Sequence, residues 1–308
     1  MPPIDFIVPT YNRPDHLQRC LTSLVNQSHP ISAIYVGVKE SDATSYKVIS
    51  DFSTNRSIMA VKAEGTGVIG SMNACLRRCT ADLIGLADDD VELPISWLNS
   101  MLAHLRRHPL AIAAGGRDML MDYPAMRRDE KLMNDVGRLK WFGRVSGNHH
   151  RGAGKARQVD ILRGSNILFR GNFLREVGFD TDLAGSGAQV HWELSLGLQA
   201  KQRGYHMIYD PEVLVTHHVA PRMDSDTLHR GIFDRSATSN IAYNETSIAL
   251  RHARGYHRVT MLLWQALIGT PICPGLARVL PSMLRNEETA MTKFQATMAG
   301  RLKAITGR

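Results

Sequence analysis

L-I-G-L-A-D-D-D-V, residues Leu83–Val91, is an apolar run that ends in three consecutive carboxylates, Asp88, Asp89 and Asp90. A short apolar run bounded by turn chemistry reads as a buried strand. Three adjacent anions at the end of such a strand repel one another, so they need a cation or full solvation. Two readings of the tip stay open on these residues alone. One is a site for a divalent metal that in turn holds phosphates. The other is a solvated turn that starts the next helix, where Asp is also favoured.

Upstream, Ile4–Pro9, Ile31–Val38 and Ile58–Ala63 read as three further strands. Leu17, Cys20, Leu21, Leu24 and Val25 recur at helical spacing between the first two. A helix over Tyr46–Phe52 precedes the third, and E-G-T-G-V-I-G opens another helix that runs through Arg78. Strands alternating with helices imply an α/β fold, a mostly parallel sheet with right-handed crossovers flanked by helices. Ligands of such sheets sit beyond the carboxyl ends of the strands. Thr10–Arg13, Lys39–Asp42, Gly65–Gly70 and Asp88–Asp90 all fall at such ends and are expected to build one site.

Downstream, Trp97–Leu105 reads as a helix and Leu110–Gly116 as a strand. Arg117–Lys155 is irregular, basic and Met-rich, and carries Trp141, His149 and His150. Long irregular segments in compact domains are often functional, so this one is read as an acceptor-side insertion, with a plain surface excursion as the alternative. Val159–Arg170 returns to strand character, and F-L-R-E-V-G-F-D is a short helix closed by Gly178. Val190–Arg203 is a helix capped by Gly204. Met207–Tyr209 and Val213–Val215 are short strands, and from Asp234 the chain is mostly helical. The expected organisation is one domain in two halves, residues 1–116 and 117–233, followed by a helical basic extension over 234–308.

The 308 residues suffice for one large α/β domain or two smaller ones, and 44% hydrophobic with 21% charged is ordinary for a folded chain. A net charge of +8 favours anionic partners such as nucleotides or phospholipid surfaces. Cys75 and Cys79 have no second pair and no nearby His, so they read as core thiols at helical spacing rather than a zinc site. M-P-P-I-D-F-I-V-P lacks the features of a signal peptide, and the apolar run Thr260–Thr270 is too short to span a bilayer. The expected location is cytoplasmic, with peripheral contact at the inner face of the membrane as a further option.

That option comes from the tail. Arg251–Arg308 holds nine Lys or Arg and two acids, and Val259, Leu262, Leu263, Ala266 and Leu267 recur at helical spacing. A basic amphipathic helix suits an anionic membrane face. The competing reading is a helix packed on the catalytic domain with its basic side solvated. No basic-aromatic motif supports nucleic-acid binding.

Gly65-Thr-Gly67-Val-Ile-Gly70 matches G-x-G-x-x-G, follows an expected strand, opens a helix and has acids about twenty residues on. An NAD(P)-dependent oxidoreductase is therefore a rival reading. Against it, the loop follows the third strand rather than the first, and one ribose-binding acid would suffice where three stand.

Taken together, these segments resemble a family 2 glycosyltransferase of the GT-A fold, bacterial type. V-P-T-Y-N-R-P-D-H-L-Q-R-C-L-T-S-L-V-N-Q (Val8–Gln27) is similar to that family's opening strand, turn and helix. G-V-I-G-S-M-N-A-C-L, L-A-D-D-D-V and G-S-N-I-L-F-R-G-N-F-L-R-E-V-G-F-D (Gly164–Asp180) are similar to its later segments in the same order. So is E-L-S-L-G-L-Q-A-K-Q-R-G-Y-H-M-I-Y-D-P-E-V-L-V-T-H-H. N-I-A-Y-N-E-T-S-I-A-L resembles the tail of some bacterial members.

The resemblance implies inverting transfer from a UDP-, GDP- or dTDP-sugar to a saccharide, lipid-linked or other hydroxyl acceptor, in cell-surface polysaccharide or glycoconjugate synthesis. It implies nucleotide contacts from Pro9, Thr10, Tyr11, Arg13, Gly67, Asn73, Asp88 and Asp89. The family's acidic pair after the second strand is replaced by Lys39-Glu40-Ser41-Asp42, so Glu40 or Asp42 would meet the base. Asp88, Asp90 and His217 would hold Mn2+ or Mg2+, with Asp88 facing either ribose or metal. Gly164 and Asn166 would face the sugars; Trp192 is read either as stacking on a sugar face or, the favoured reading, as a core side chain. The family's usual acid pair at the start of the late helix is missing from Val190-His191-Trp192-Glu193-Leu194. His191 stands at the base position, Glu193 is the alternative, and a non-catalytic nucleotide-sugar-binding relative is the reading that needs neither.

Overall fold

The computed structural model describes residues 2–52, 57–121, 131–220, 233–285 and 289–307. Residues 122–130 of the irregular middle segment, and Glu287, Glu288 and Arg308 of the tail, lie outside the described residues. Three strands, β1 (Ile4–Pro9), β2 (Ala33–Val38) and β3 (Ile58–Lys62), alternate with α1 (Pro14–Val25), α2 (Ala43–Asp51) and α3 (Gly67–Leu76) before β4 (Leu83–Ala87). All five residues of β4 are buried, as its unbroken apolar run implies. In α1, Leu17, Cys20, Leu21 and Leu24 face the sheet. Burying each leucine contributes about 2 kcal/mol relative to leaving it in water.

The chain continues through β5 (Val91–Glu92), α4 (Trp97–Arg107), β6 (Ala111–Met121), β7 (Arg138–Leu139), β8 (Val145–Ser146), β9 (Arg157–Val159) and β10 (Asn166–Arg170). Then come α5 (Gly171–Val177), α6 (Trp192–Gln202), β11 (His206–His218), α7 (Arg235–His252), α8 (Tyr256–Leu267), α9 (Leu276–Leu284) and α10 (Ala290–Thr306). The main sheet runs β3-β2-β1-β4-β10-β6-β11-β5, with β9 also on β11. β3, β2, β1 and β4 are mutually parallel. The second half is mixed: β10 is antiparallel to both β4 and β6, while β6 and β11 are parallel. One apolar cluster lies under α1, α2 and α4. The other lies under α3, α5 and α6 and takes in Ile248 and Ala249 of α7, so the C-terminal helices share the domain's core.

Several element boundaries differ from the sequence reading, and three of them bear on the site. The strand expected over Val159–Arg170 is two strands, because residues 160–165 turn between β9 and β10. The two short strands expected after Met207 are one, β11, with a register shift between Asp210 and Leu214 around Pro211, which has no N–H for the ladder. The helix expected from Val190 begins at Trp192, because His191 takes a left-handed conformation with φ of 82°. Cys75 and Cys79 are buried in the core. Among the described residues, no helix is long and apolar enough to cross a membrane.

Candidate active site

The parallel order places the turns after β1, β2, β3 and β4 on one edge of the sheet. At the last of these turns the three carboxylates have different surroundings. Asp89 is 3% exposed and accepts hydrogen bonds from Thr10 Oγ1 at 2.7 Å and Arg13 Nη1 at 2.9 Å. Arg13 Nη1 is also 3.6 Å from Asp90 Oδ2. Asp90 accepts from the Ala220 amide at 3.1 Å, and its other oxygen lies 3.1 Å from His217 Nε2. Asp88 is half-buried, and among the described residues nothing donates a hydrogen bond to its carboxylate. Burial, then the charge of Asp90, push Asp88 up to about 7. Burial raises Asp90 less than His217 and the Ala220 amide lower it, and it is held down to about 2.

One ligand atom from each of Asp88, Asp90 and His217 lies within 4.8 Å of the others. Two carboxylate oxygens and one imidazole suit a hard divalent cation such as Mn2+ or Mg2+. The Asp88 carboxylate fits that donor set: burial and the neighbouring Asp90 charge outweigh His217 and Arg163 and press it toward protonation, which a bound cation would relieve. β11 brings His217 in. Beyond the register shift, His217 pairs with Val91 of β5, next to Asp90. Successive strand residues face opposite ways, so His218 instead meets Glu92, at 2.8 Å.

Asp118, which the sequence reading missed, stands behind His217. It is fully buried on β6, with Oδ2 3.8 Å from His217 Nδ1. Ser165 Oγ, Asn166 Nδ2 and Arg163 Nε hold it at 2.7, 2.5 and 3.0 Å. Burial works against its charge, but Arg163, His217 and Ser165 outweigh that and hold its carboxyl well below the usual range. The one local signal was an acid directly after the apolar run A-I-A-A-G-G-R. Asn166, expected at a sugar, has both side-chain groups engaged, donating to Asp118 and accepting from the Gly116 amide at 2.7 Å.

The first two loops are tied together by Asp42. It accepts from the Asn12 amide at 2.6 Å and from Ser45 N, Ser45 Oγ and Thr44 Oγ1, capping α2. Of the two acids left open after β2, Asp42 is therefore fully engaged and buried. Glu40 is at the surface, 2.6 Å from Lys62 Nζ. Pro9 closes β1, and the Tyr11 ring carries Lys39 Nζ 4.2 Å from its centroid.

The Gly65–Gly70 loop does not serve as a dinucleotide cradle, and the oxidoreductase reading is set aside. That reading needs free amides at the start of α3. The Val68 amide donates to Gly187 O at 2.8 Å and the Ile69 amide to Gln189 Oε1 at 3.0 Å. A Cβ on Gly67, at φ of +73°, would collide with the Gln189 side chain. Farther along α3, Asn73 exchanges two hydrogen bonds with the Phe179 backbone, at 2.8 and 3.0 Å. Gly67 and Asn73 thus anchor residues 178–189, the segment that leads into α6.

The turn at residues 163–166 joins this anchor to the carboxylates. Ser165 O accepts the Asp88 amide at 3.3 Å, and Gly164 N donates to Glu193 Oε1 at 3.4 Å. Burial raises Glu193 above its ordinary range. Trp192 is a core side chain rather than one against a sugar face: it is 7% exposed, its ring meets Phe179 at 5.5 Å, and a Cβ on Gly164 would strike its indole. His191 Nε2 lies 3.3 Å from Oε1 of Glu245, on α7. Burial lowers the imidazole's pKa, but Glu245 and Glu193 outweigh it and raise it. Glu245 sits within the quoted tail stretch, yet nothing local marks it as a partner of His191.

The chain matches the family model described as "Glycosyltransferase like family 2" over residues 2–230. It is 22% identical over 213 residues to a poly-beta-1,6-N-acetyl-D-glucosamine synthase of Staphylococcus epidermidis, covering 68% of this chain and 48% of that one. The chain thus spans about half the length of that relative. It is 24% identical over 223 residues to a glucosyl-dolichyl phosphate glucuronosyltransferase of Haloferax volcanii, covering 70% and 68%. Among solved structures, S. aureus TarS 1-349 aligns with a TM-score of 0.63 at 12% identity, over 99% of this chain and 81% of that one. The mannosyltransferase PcManGT from Pyrobaculum calidifontis, in complex with GDP-Man and Mn2+, aligns with a TM-score of 0.58 at 16% identity, over 100% and 88%. The architecture is the GT-A fold.

Proposed function

The chain belongs to the family 2 glycosyltransferases, and on that premise we propose that it transfers a sugar, with inversion, from a nucleoside-diphosphate-sugar to an acceptor hydroxyl. The observation that carries this reading is the cluster of Asp88, Asp90 and His217 at the edge of the parallel strands, joined to Glu193 by the turn at residues 163–166. Asp88, Asp90 and His217 would hold Mn2+ or Mg2+. When bound, that cation neutralises charge on the departing diphosphate. Arg13, Thr10 and Asp89 brace the same turn, and Tyr11 offers an aromatic face beside it for the nucleotide. His191, with Glu193 as the alternative, takes the acceptor's proton, and the freed oxygen attacks the anomeric carbon as the diphosphate leaves. Residues 1–116 would carry the donor side and 117–233 the acceptor side.

The test is thermal stabilisation by UDP, GDP and dTDP, each with Mn2+, against NADH. Stabilisation by at least one diphosphate that disappears in Asp90→Ala supports the reading. Stabilisation by none of them, or by NADH alone, overturns it.

The acceptor side favours a lipid-linked substrate at an anionic bilayer. On α9, Leu276, Leu280 and Leu284 form one solvent-facing stripe, with Leu284 86% exposed. On α8, Val259, Leu263 and Leu267 are exposed in the same way. The hairpin of β7 and β8 rests against α8 at Gly143 and presents Trp141, 72% exposed. Arg258 on α8 and Arg278 on α9, with Arg254 and Arg285 just outside these helices, add positive charge. The combination matches an interfacial surface. Sedimentation with vesicles containing phosphatidylglycerol is expected, and Leu280→Asp with Leu284→Asp should abolish it. A vesicle-indifferent protein that dimerises through this face would refute the membrane assignment.

A further inference from the structure

We propose that Glu245, on α7, is the carboxylate that positions His191 for proton abstraction. This rests on the reading of His191 as the base. It deepens that reading by supplying, from a distant helix, the acid missing at the start of α6. Glu245 lies beyond residues 2–230, the span that the family model matches, on the helical extension.

Two neighbouring side chains of α7 act on the same residue. Asn244 accepts from the Ala184 amide at 2.7 Å and donates to the carbonyls of Ala184 and Val190, each at 3.0 Å. It therefore holds the backbone that leads into His191, whose φ of 82° is uncommon for a non-glycine residue and must be maintained by its surroundings. Glu245 then meets the imidazole, Oε1 to Nε2, at 3.3 Å. His191 Nε2 and Glu245 Oε2 are both buried without a hydrogen-bond partner. Buried polar groups left in this state need an explanation, and a base site that tightens around its substrate is one.

The chemistry follows from the tautomer. With the N–H at Nε2 facing the carboxylate, the lone pair sits on Nδ1. The acceptor O–H breaks and its proton goes to Nδ1. The acceptor oxygen bonds to the anomeric carbon while that carbon's bond to the diphosphate oxygen breaks, and the electron pair leaves with the diphosphate. Glu245 balances the imidazolium that forms.

The other charged groups nearby are Glu193 on α6, which also faces His191, and Arg163, which faces Glu193. Arg301 on α10 and the Cys273 thiol face Glu245.

The test uses the full chain with isotope-labelled histidine, in which the signal absent from His191→Gln identifies residue 191. In Glu245→Gln the titration midpoint of His191 is expected to move to lower pH, since a carboxylate stabilises the charged ring. Glu245→Asp should restore it in part. Hydrolysis of a UDP-, GDP- or dTDP-sugar with Mn2+ should lose about tenfold or more in kcat, with KM for the donor unchanged. An unmoved midpoint in a folded Glu245→Gln protein overturns the proposal. So does an unmoved midpoint in Glu245→Ala, if Glu245→Gln does not fold. Wild-type hydrolysis in His191→Gln instead overturns the base reading, a separate result because the midpoint is measured without turnover.

Discussion

His217 Nε2 lies 3.1 Å from Asp90 Oδ1, a contact made only because β11 continues past its irregularity to pair with β5. Burial lowers the pKa of this imidazole, but Asp118 and Asp90 outweigh it and hold it up to about 10. Asp88 is pushed up to about 7 by burial and by Asp90. Both groups carry protons near neutrality that a divalent cation must displace. Mn2+ binding is therefore expected to release protons at about pH 7 and to tighten as pH rises from there toward 10. Calorimetry in buffers of different ionisation enthalpy measures the release, and a heat independent of buffer would contradict it. Without metal, the raised His217 contributes stability that is present below its unfolded value of about 6.5 and fades as pH climbs through about 10.

Asp118 stands behind His217, its Oδ2 3.8 Å from Nδ1, and is held by Ser165, Asn166 and Arg163. Asp118→Asn keeps the shape and removes the charge. It should weaken Mn2+ binding by about 10- to 100-fold, as loss of a carboxylate behind a liganding His generally does. Titration calorimetry with Mn2+ is the measurement, and wild-type affinity in this variant would show that Asp118 serves the fold alone.

Gln189 supplies the acceptor for the Ile69 amide and donates to Leu183 O at 2.9 Å. Gln189→Ala leaves a buried helix-start amide unpaired and should cost about 1–2 kcal/mol, read from urea unfolding. It should not create NADH binding, since Gly187 O still occupies the Val68 amide. Stability equal to wild type would argue against the cap.

Asp180 binds Arg251 of α7 at 2.7 and 2.9 Å and accepts from Ser195 Oγ at 3.0 Å. Burial raises its pKa, but His252, Arg251 and Ser195 outweigh it and hold the carboxyl well below the usual range. A depressed carboxylate stabilises above its unfolded pKa and loses that contribution as pH falls toward the native value. Asp180→Asn should cost about 2 kcal/mol at neutral pH, and the gap to wild type should narrow below about pH 4. Parallel urea titrations at neutral and acid pH decide it; a gap that stays constant into acid would assign the cost to packing.

The alternation of apolar strands with amphipathic helices up to Val91 was legible in the sequence because burial periodicity is a local property. Once that alternation implied parallel strands, Thr10–Arg13, Lys39–Asp42 and Asp88–Asp90 fell on one edge with no further information. The sequence could not divide the work among them. Asn73 and Asn166 sit in family-like motifs and Asp42 stands where the family's acidic pair is replaced, yet their side chains are engaged within the fold, and Trp192 is core. Those outcomes depend on which donors and ring faces lie alongside, which residue type alone does not specify. Gln189 and Glu245 left no pattern to read, and Asp118 only an acid after an apolar run, because each meets a residue far away in the chain. Only the tertiary structure, by pairing β11 with β5 and packing α7 against the start of α6, decided that His217 meets Asp90 and that His191 meets a carboxylate. Hydrophobic spacing encodes which face is buried, whereas electrostatic partnership depends on a few ångströms of separation that exist only after folding.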